Sequence, residues 1–156
     1  MTRVLFVCMG NICRSPTAHG IFRDLVREAG LDDAVEVDSA GTGAWHAGNP
    51  PDQRSMATAA RRGCDISDLR ARQVTVDDFD AFDHVIAMDS ENMSNLRRLC
   101  PEGREGRLSM CLDHASEASG DVPDPYYGND GFDLVYDMCD DACRGLLATI
   151  RADLGR

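Results

Sequence analysis

The chain has 156 residues, of which 43% are apolar, so its length suits a single domain, residues 1–156, around one buried core. Its net charge of −11 arises in the second half of the chain. An acidic protein without a basic stripe is a poor candidate for binding nucleic acid or an anionic membrane. No apolar run approaches the ~20 residues of a membrane span, and the N-terminus lacks the segments of a signal peptide, so we expect a cytoplasmic protein.

The cysteines do not form a recognisable framework. An odd number of them, scattered through a chain of this size, is not the pattern of a disulfide-stabilised secreted domain. No Cys-x2-Cys pair occurs, so the sequence predicts no structural zinc site. The seven are Cys8, Cys13, Cys64, Cys100, Cys111, Cys139 and Cys143.

Strand-like and helix-like segments alternate along the chain. Short apolar runs predict strands, in chain order, at 4–7, 35–40, 84–88 and 108–112. Capping residues, terminal glycines and spaced apolar residues predict helices at 16–29, 52–62, 77–82, 90–100 and 132–154. This alternation predicts an α/β fold with a parallel sheet and helices on both faces. The ligand site of such a sheet lies at the carboxyl ends of its strands, where Cys8, Ser39 and Asp89 fall.

The run that follows the first strand has the features of a phosphate-binding loop. Cys8 and Arg14 enclose five residues between a buried strand and the start of a helix. Such a loop can curl so that its amides point at a tetrahedral anion, and the helix adds the positive end of its dipole. Gly10 and Asn11 are the residue types that best tolerate the left-handed conformations of this curl. The residues expected to surround the phosphate are Met9, Gly10, Asn11, Ile12, Cys13 and Ser15.

Three side chains of this run suit phosphoryl transfer. The helix N-terminus and nearby cations would hold Cys8 as a thiolate aimed at the phosphorus. Arg14 offers a planar fork for two phosphate oxygens, and the Ser15 hydroxyl can donate to the thiolate. Taken singly, Cys8 also fits a small buried residue, and Ser15 fits a helix cap before Pro16. Their coincidence with a loop that can bind an anion favours the catalytic interpretation.

Cleavage of a phosphate monoester also needs a proton for the leaving oxygen. Asp124 is the candidate acid, because it opens an Asp-Pro-Tyr-Tyr-Gly motif in a loop predicted over 120–131, and Pro125 keeps it out of helical geometry. Tyr126 and Tyr127 can form the wall of a slot for an aromatic ring. An ordinary surface turn is the alternative when this motif is taken alone.

These motifs together resemble the low-molecular-weight protein tyrosine phosphatases over nearly the whole chain. The signature loop at 8–16 and the motif at 124–128 match, as do the segments 38–42, 71–73 and 88–89. The resemblance implies a three-layer sandwich with a four-stranded parallel sheet in the order 2-1-3-4. It also implies a single catalytic domain that uses no metal and no cofactor.

The resemblance implies hydrolysis of phosphotyrosine through a phosphocysteine on Cys8. Arg14 would clamp the phosphate, and Asp124 would act first as acid and then as base toward water. Tyrosine-phosphorylated proteins would be the partners, with a bacterial tyrosine kinase as one candidate, and a monomer is expected. Small aryl phosphates would also be substrates.

Supporting roles follow from the same resemblance. Asn11 would hold the strained shape of the loop, and Ser39 and Asp89 would support it. Trp45 lies in a segment that varies within the family and lines the slot, so it is expected to touch substrate, although plain packing is equally consistent with it. His46 is interpreted as a solvated loop residue.

Two further positions concern rate and regulation. Leu69 stands where many family members carry a His that hydrogen-bonds near the phosphate loop, and we expect this change to tune the rate rather than abolish activity. Family members with a second cysteine at the position of Cys13 can protect the nucleophile, so the resemblance implies a Cys8–Cys13 disulfide under oxidation.

Three alternatives are open at this point. An arsenate reductase of similar fold relays a disulfide to further cysteines, but residues 65–99 contain none. A phosphoarginine phosphatase tends to have Thr at the position of Ile12 and lacks the pair Tyr126 and Tyr127. A phosphate-binding module without turnover would not need both a cysteine and a distant aspartate.

Overall fold

Four parallel strands form one sheet in the computed structural model, which describes residues 1–156. They are β1 (Thr2–Cys8), β2 (Val35–Gly41), β3 (His84–Ala87) and β4 (Leu108–Met110). Their spatial order β2-β1-β3-β4 confirms the predicted topology. The register pairs Cys8 with Gly41 and Val7 with Ala87, so three strands end together at one edge of the sheet. A ligand site is expected at that edge.

Five α-helices cover the two faces of this sheet. They are α1 (Arg14–Glu28), α2 (Gln53–Arg61), α3 (Asp78–Ala81), α4 (Ser90–Leu99) and α5 (Phe132–Leu154). Residues of α1, α2 and α5 share one apolar cluster, and residues of α3 and α4 share a second cluster on the opposite face. The predicted layers are therefore present. No helix combines the length and apolar content needed to cross a bilayer.

The central strand β1 shows why the molecule has two cores. Successive side chains of a strand point to opposite faces, so an uninterrupted apolar run must be covered twice. Val4 and Phe6 belong to the cluster under α1 and α5, whereas Leu5 and Val7 belong to the cluster under α3 and α4. The Phe6 ring meets Phe22 of α1 edge-on, with 5.8 Å between ring centroids.

The fourth strand is shorter than the sequence predicts. Cys111 and Leu112 lie in a 3₁₀ helix, Cys111–His114, instead of continuing β4. The Asp113 carboxylate accepts a hydrogen bond of 2.9 Å from the Met110 amide, which turns the chain at the end of the strand. Cys111 and Leu112 are buried in the core that α5 covers, which explains why this segment is apolar. A short apolar run does not distinguish these two structures.

The helix α5 passes so close to this 3₁₀ helix that only glycine fits at position 145. A Cβ atom there would collide with the backbone carbonyl oxygen of His114. The close approach brings α5 against the segment that follows β4, and so closes one side of the larger core.

We expect Gly145→Ala to lower the free energy of unfolding by about 1–3 kcal/mol, the range for overpacking a filled site. Alanine is favoured over glycine in a helix interior by ~1 kcal/mol, so a net loss would come from the collision. Urea unfolding followed by circular dichroism measures the change. Gly106→Ala is the control, since a Cβ there meets open space. Equal midpoints for the two variants would contradict the close approach.

Candidate active site

A cleft of about 300 Å³ opens at the carboxyl end of the sheet. Of its 11 lining residues, all but one are predicted from the sequence to belong to the site. These are Cys8, Met9, Gly10, Ile12, Cys13, Arg14, Trp45, Asp124, Tyr126 and Tyr127. The remaining residue is His46, so its interpretation as a solvated loop residue is wrong. Its ring lies over Gly10, where a Cβ would come 3.0 Å from the ring.

The phosphate loop, residues 8–14, curls through a single left-handed residue. Asn11 has a φ of 58° and is the only non-glycine residue with positive φ, whereas Gly10 is not in that region. Gly10 instead leaves room for the His46 ring. Asn11 tolerates this conformation better than most residues with a Cβ.

Five amides of the loop are unpaired within the protein. No hydrogen bond to another group of the chain is donated by the backbone N–H of Met9, Gly10, Ile12, Cys13 or Arg14. Buried amides without partners are rare in folded proteins and are typical of anion-binding nests. The loop can therefore accept a tetrahedral anion through its main chain.

The start of α1 differs from the predicted one. The helix begins at Arg14 with Cys13 in the capping position, and no side chain caps it. The prediction that Ser15 is the cap is therefore wrong. Its hydroxyl instead lies 3.0 Å from Cys8 Sγ and accepts a hydrogen bond of 2.7 Å from Asn11 Nδ2. The Ser15 hydroxyl thus links the Asn11 side chain to the Cys8 sulfur.

The Cys8 sulfur faces hydrogen-bond donors. The Asn11 amide donates to Cys8 Sγ over 3.3 Å, and the Ser15 hydroxyl is within reach on another side. The residue is only 3% exposed, at the bottom of the cleft. The sulfur is therefore hydrogen-bonded at the floor of the cleft, where it faces any ligand that enters.

The Asn11 side chain is held from two sides. Its amide group donates to Ser15, and its Oδ1 accepts a hydrogen bond of 3.0 Å from the Arg72 backbone amide. Arg72 is itself fixed, because its guanidinium bonds Asp38 of β2 at 3.1 Å and Asp78 of α3 at 3.0 and 3.1 Å. Through Arg72, Asn11 is thus tied to the sheet and to the helix layer that contains α3.

Leu69 has a packing role. It is partly buried against the larger apolar cluster. The polar contacts of Asn11 come from Ser15 and Arg72, so the loop is held without a histidine at position 69.

Arg14 is a buried cation with three partners. Its side chain is 3% exposed, donates to Asp89 at 2.6 Å and to the Val122 carbonyl at 3.0 Å, and lies 3.6 Å from Asp124. Burial acts to lower the pKa of Arg14, but the Cys8 sulfur and the two carboxylates outweigh it and raise that pKa. The guanidinium therefore stays charged in the wall of the cleft.

Asp89 and Ser39 support the site in different ways. Asp89 holds Arg14 with one oxygen, and with the other it accepts a hydrogen bond of 2.7 Å from Asn92 to cap α4. Ser39 lies on β2, and its hydroxyl is 2.9 Å from Nδ1 of His19 on α1. Burial lowers the pKa of His19 to about 4, so the ring is neutral near pH 7. Ser39 thus contacts the helix that follows the loop and makes no hydrogen bond to residues 8–14.

Asp124 lies in the acid loop, residues 123–130, and is within 3.6 Å of Arg14. Its other oxygen accepts a hydrogen bond of 3.1 Å from the Tyr126 amide. The side chain is 25% exposed, at the rim of the cleft. A carboxyl group placed this way can reach both solvent and the bound phosphate.

Aromatic side chains form the mouth of the cleft. Trp45 is 72% exposed, Tyr127 78% and Tyr126 39%. The two tyrosine rings meet at 90° with 5.1 Å between centroids, and His46 lies 6.2 Å from Tyr126. Exposed aromatic surface around a polar floor suits a ligand with one aromatic ring and a charged tip.

Besides His46, sequence reasoning missed three contributors to the site. Val122 acts through its carbonyl, which no side-chain pattern reveals. Arg72 acts through its amide and was noted only as part of a matching segment. Arg54 contacts the acid loop, and its spacing from Asp52 at the start of α2 was the available signal.

Comparisons with known proteins point to one family. A family model described as low molecular weight phosphotyrosine protein phosphatase matches residues 3–156. The low molecular weight protein-tyrosine-phosphatase YfkJ of Bacillus subtilis is 44% identical over 98% of both chains, and the human low molecular weight phosphotyrosine protein phosphatase is 40% identical over 92% of both. A crystal structure of a protein tyrosine phosphatase from Entamoeba histolytica, with Hepes in its active site, superposes with a TM-score of 0.92 at 36% identity, covering 99% of both chains.

Fold, cleft and relatives agree, and the chain belongs to the low-molecular-weight phosphotyrosine protein phosphatase family, whose members are phosphoric monoester hydrolases.

Proposed function

We propose that the protein hydrolyses phosphotyrosine in proteins, and small aryl phosphates, through a phosphocysteine on Cys8. The convergence of Cys8, Arg14 and Asp124 on one cleft carries this proposal. Unpaired loop amides and a charged guanidinium suit a phosphate group. The names of the relatives from Bacillus subtilis and human support the same substrate class.

In the first step the Cys8 thiolate attacks the phosphorus. The S–P bond forms as the bond between phosphorus and the phenolic oxygen breaks. Asp124 enters protonated and gives its proton to that oxygen, so that the tyrosine leaves as a neutral phenol. Arg14 and the loop amides hold the other phosphate oxygens and stabilise the charge of the transition state.

In the second step water attacks the phosphocysteine. Asp124 is now a carboxylate and accepts a proton from that water. The S–P bond breaks, inorganic phosphate leaves, and Cys8 returns as a thiolate. The Ser15 hydroxyl, 3.0 Å from the sulfur, stabilises this leaving group.

The shape of the cleft favours tyrosine over shorter side chains. The sulfur is buried at the floor, and Trp45, Tyr126 and Tyr127 stand at the mouth. A phenyl ring can contact these aromatic groups while it carries its phosphate down to the loop. The expected partners are tyrosine-phosphorylated proteins, among which a bacterial tyrosine kinase is a candidate. We further propose that the protein acts as a monomeric, single-domain enzyme in the cytoplasm without a cofactor.

Cys8→Ser should remove turnover of para-nitrophenyl phosphate while phosphate binding persists, because a hydroxyl keeps the loop but is a far weaker nucleophile. Arg14→Ala should lower kcat by roughly 10²–10³-fold and also weaken phosphate binding. Steady-state kinetics and calorimetric titration with phosphate measure both effects. Cys100→Ser is the control and should keep wild-type activity. Substantial turnover by Cys8→Ser would exclude the covalent mechanism. Absence of turnover in the wild type would indicate a phosphate-binding module instead of an enzyme.

Asp124→Asn should slow formation of the phosphoenzyme by roughly 10²–10⁴-fold, the range for loss of a general acid. The loss should shrink for esters whose leaving group needs no proton. Stopped-flow measurements on aryl phosphates with leaving groups of different acidity test this. A uniform loss across the series would assign Asp124 a structural role instead.

Mild peroxide should inactivate the enzyme reversibly. Burial raises the pKa of Cys13 to about 12, so Cys13 is a neutral thiol near pH 7 and the Cys8 thiolate is the site of oxidation. Peroxide converts Cys8 to a sulfenic acid, and the Cys13 thiol then displaces its oxygen as water to form a disulfide. Dithiothreitol should restore activity, and bound phosphate should protect it.

The variant Cys13→Ser tests the protective role of the second cysteine. It should remain active but recover poorly after peroxide, since Cys8 would pass on to the sulfinic acid. Mass spectrometry should find a Cys8–Cys13 link in the wild type only. Equal recovery of the two proteins after the same dose would rule out protection by Cys13.

A further inference from the structure

The acid loop is tied to the rest of the fold in very few places. Just before it, the Val122 amide donates to the Met88 carbonyl at 2.8 Å, and the Val122 carbonyl accepts from Arg14. Within residues 123–130, every hydrogen bond to the remainder of the chain is donated by one side chain, that of Arg54. Asp124, which itself lies 3.6 Å from Arg14, therefore lies between an anchor at Val122 and an anchor made by Arg54.

The Arg54 guanidinium contacts the part of the acid loop that follows Asp124. Its two terminal nitrogens donate to the Gly128 carbonyl at 2.6 Å and to the Tyr126 carbonyl at 3.0 Å. The group also lies over two rings, 5.7 Å from the centroid of Tyr126 and 4.7 Å from that of Phe132. Carbonyls and ring faces are both favourable partners for a guanidinium.

Arg54 is also linked to the phosphate loop, through the side chain and the amide of Asp52. Asp52 accepts from Arg54 Nε and from a terminal nitrogen, both at 3.0 Å, in a bidentate pair. The Asp52 amide in turn donates to the Ile12 carbonyl at 2.8 Å. Hydrogen bonds from Arg54 lower the pKa of Asp52, so this carboxylate is charged near pH 7. A continuous chain of contacts thus runs from Ile12 through Asp52 and Arg54 to the acid loop.

From this geometry we infer that Arg54 is a positioning residue, which sets the placement of Asp124 relative to the phosphate loop. The inference rests on the proposed function, in which Asp124 delivers a proton to the leaving oxygen. Arg54 holds the two carbonyls that follow Asp124 by two and four residues, so its loss frees one end of the segment that carries the acid. Misplacement of a catalytic group by about 1 Å can reduce a rate by 10²-fold.

The effect should appear in proton delivery and spare phosphate binding. Arg54→Ala should lower kcat/KM for phenyl phosphate by about 10- to 100-fold, since kcat/KM reports formation of the phosphoenzyme and that leaving group needs its proton. The loss in kcat/KM should be under about threefold for 2,4-dinitrophenyl phosphate, whose leaving group departs without a proton. The inhibition constant of inorganic phosphate should stay within about twofold of the wild-type value, because the phosphate loop is intact.

Two variants separate anchoring from simple charge or folding effects. Arg54→Lys keeps a cation next to Asp52 but cannot hold two carbonyls and a carboxylate at once, so it should recover only part of the lost rate. Arg61→Ala is the matched control, because Arg61 lies on the same helix, is 61% exposed and contacts Thr58 and Asp133 instead of the acid loop. It should leave the rates for both esters unchanged.

A double-mutant cycle with Asp124→Asn decides whether Arg54 acts through the acid. Once Asp124 cannot donate, removal of Arg54 should lower kcat/KM for phenyl phosphate by less than about twofold. If Arg54→Ala instead slows both esters equally, or keeps its full effect in the Asp124→Asn background, the inference is wrong while the proposed function survives. If Asp124→Asn alone has no effect on either ester, the proposed acid role itself fails.

Discussion

The buried guanidinium of Arg14 requires acceptors and counter-charges, and segments far apart in the chain supply them. It contacts Asp89 after β3, the Val122 carbonyl before the acid loop, and Asp124 within that loop. A buried cation without such partners would be strongly unfavourable. Satisfying Arg14 therefore brings the end of β3 and the acid loop to the phosphate loop. The same requirement that stabilises the fold at this edge assembles the cleft.

The curl of the phosphate loop is a second constraint, and it is met by connections between layers. Asn11 adopts a conformation that costs a residue with a Cβ of order 1–3 kcal/mol, so its surroundings must enforce it. Ser15 holds its side chain from within the loop, and the Arg72 amide holds it from outside. Because Arg72 is clamped to β2 and α3, the layers of the sandwich fix the geometry of the unpaired amides.

The sequence predicted most of the fold because its signals are local. The four strands, the five helices and nine residues of the cleft lie where apolar runs, glycines and the two motifs place them, whereas the strand order and Trp45 came from the family resemblance. The failures occur where one local pattern fits two different structures. Ser15 looked like a helix cap because its partners, Cys8 and Asn11, are set by the curl of the loop. Leu112 looked like strand because burial gives strands and 3₁₀ turns the same apolar residues.

The two halves of the site are fixed by interactions of different kinds. The phosphate loop is held from inside, by groups such as Asn11 and Ser15 that are at most 3% exposed. The acid loop is held from outside by Arg54, which is 38% exposed. Water and salt weaken the electrostatic contacts of a side chain that is exposed to this degree. In the proposed reaction phosphate binds the same loop amides in every cycle, so rigidity there serves binding. In the proposed reaction the leaving tyrosine passes the aromatic mouth, on the side of the cleft where Arg54 holds the acid loop.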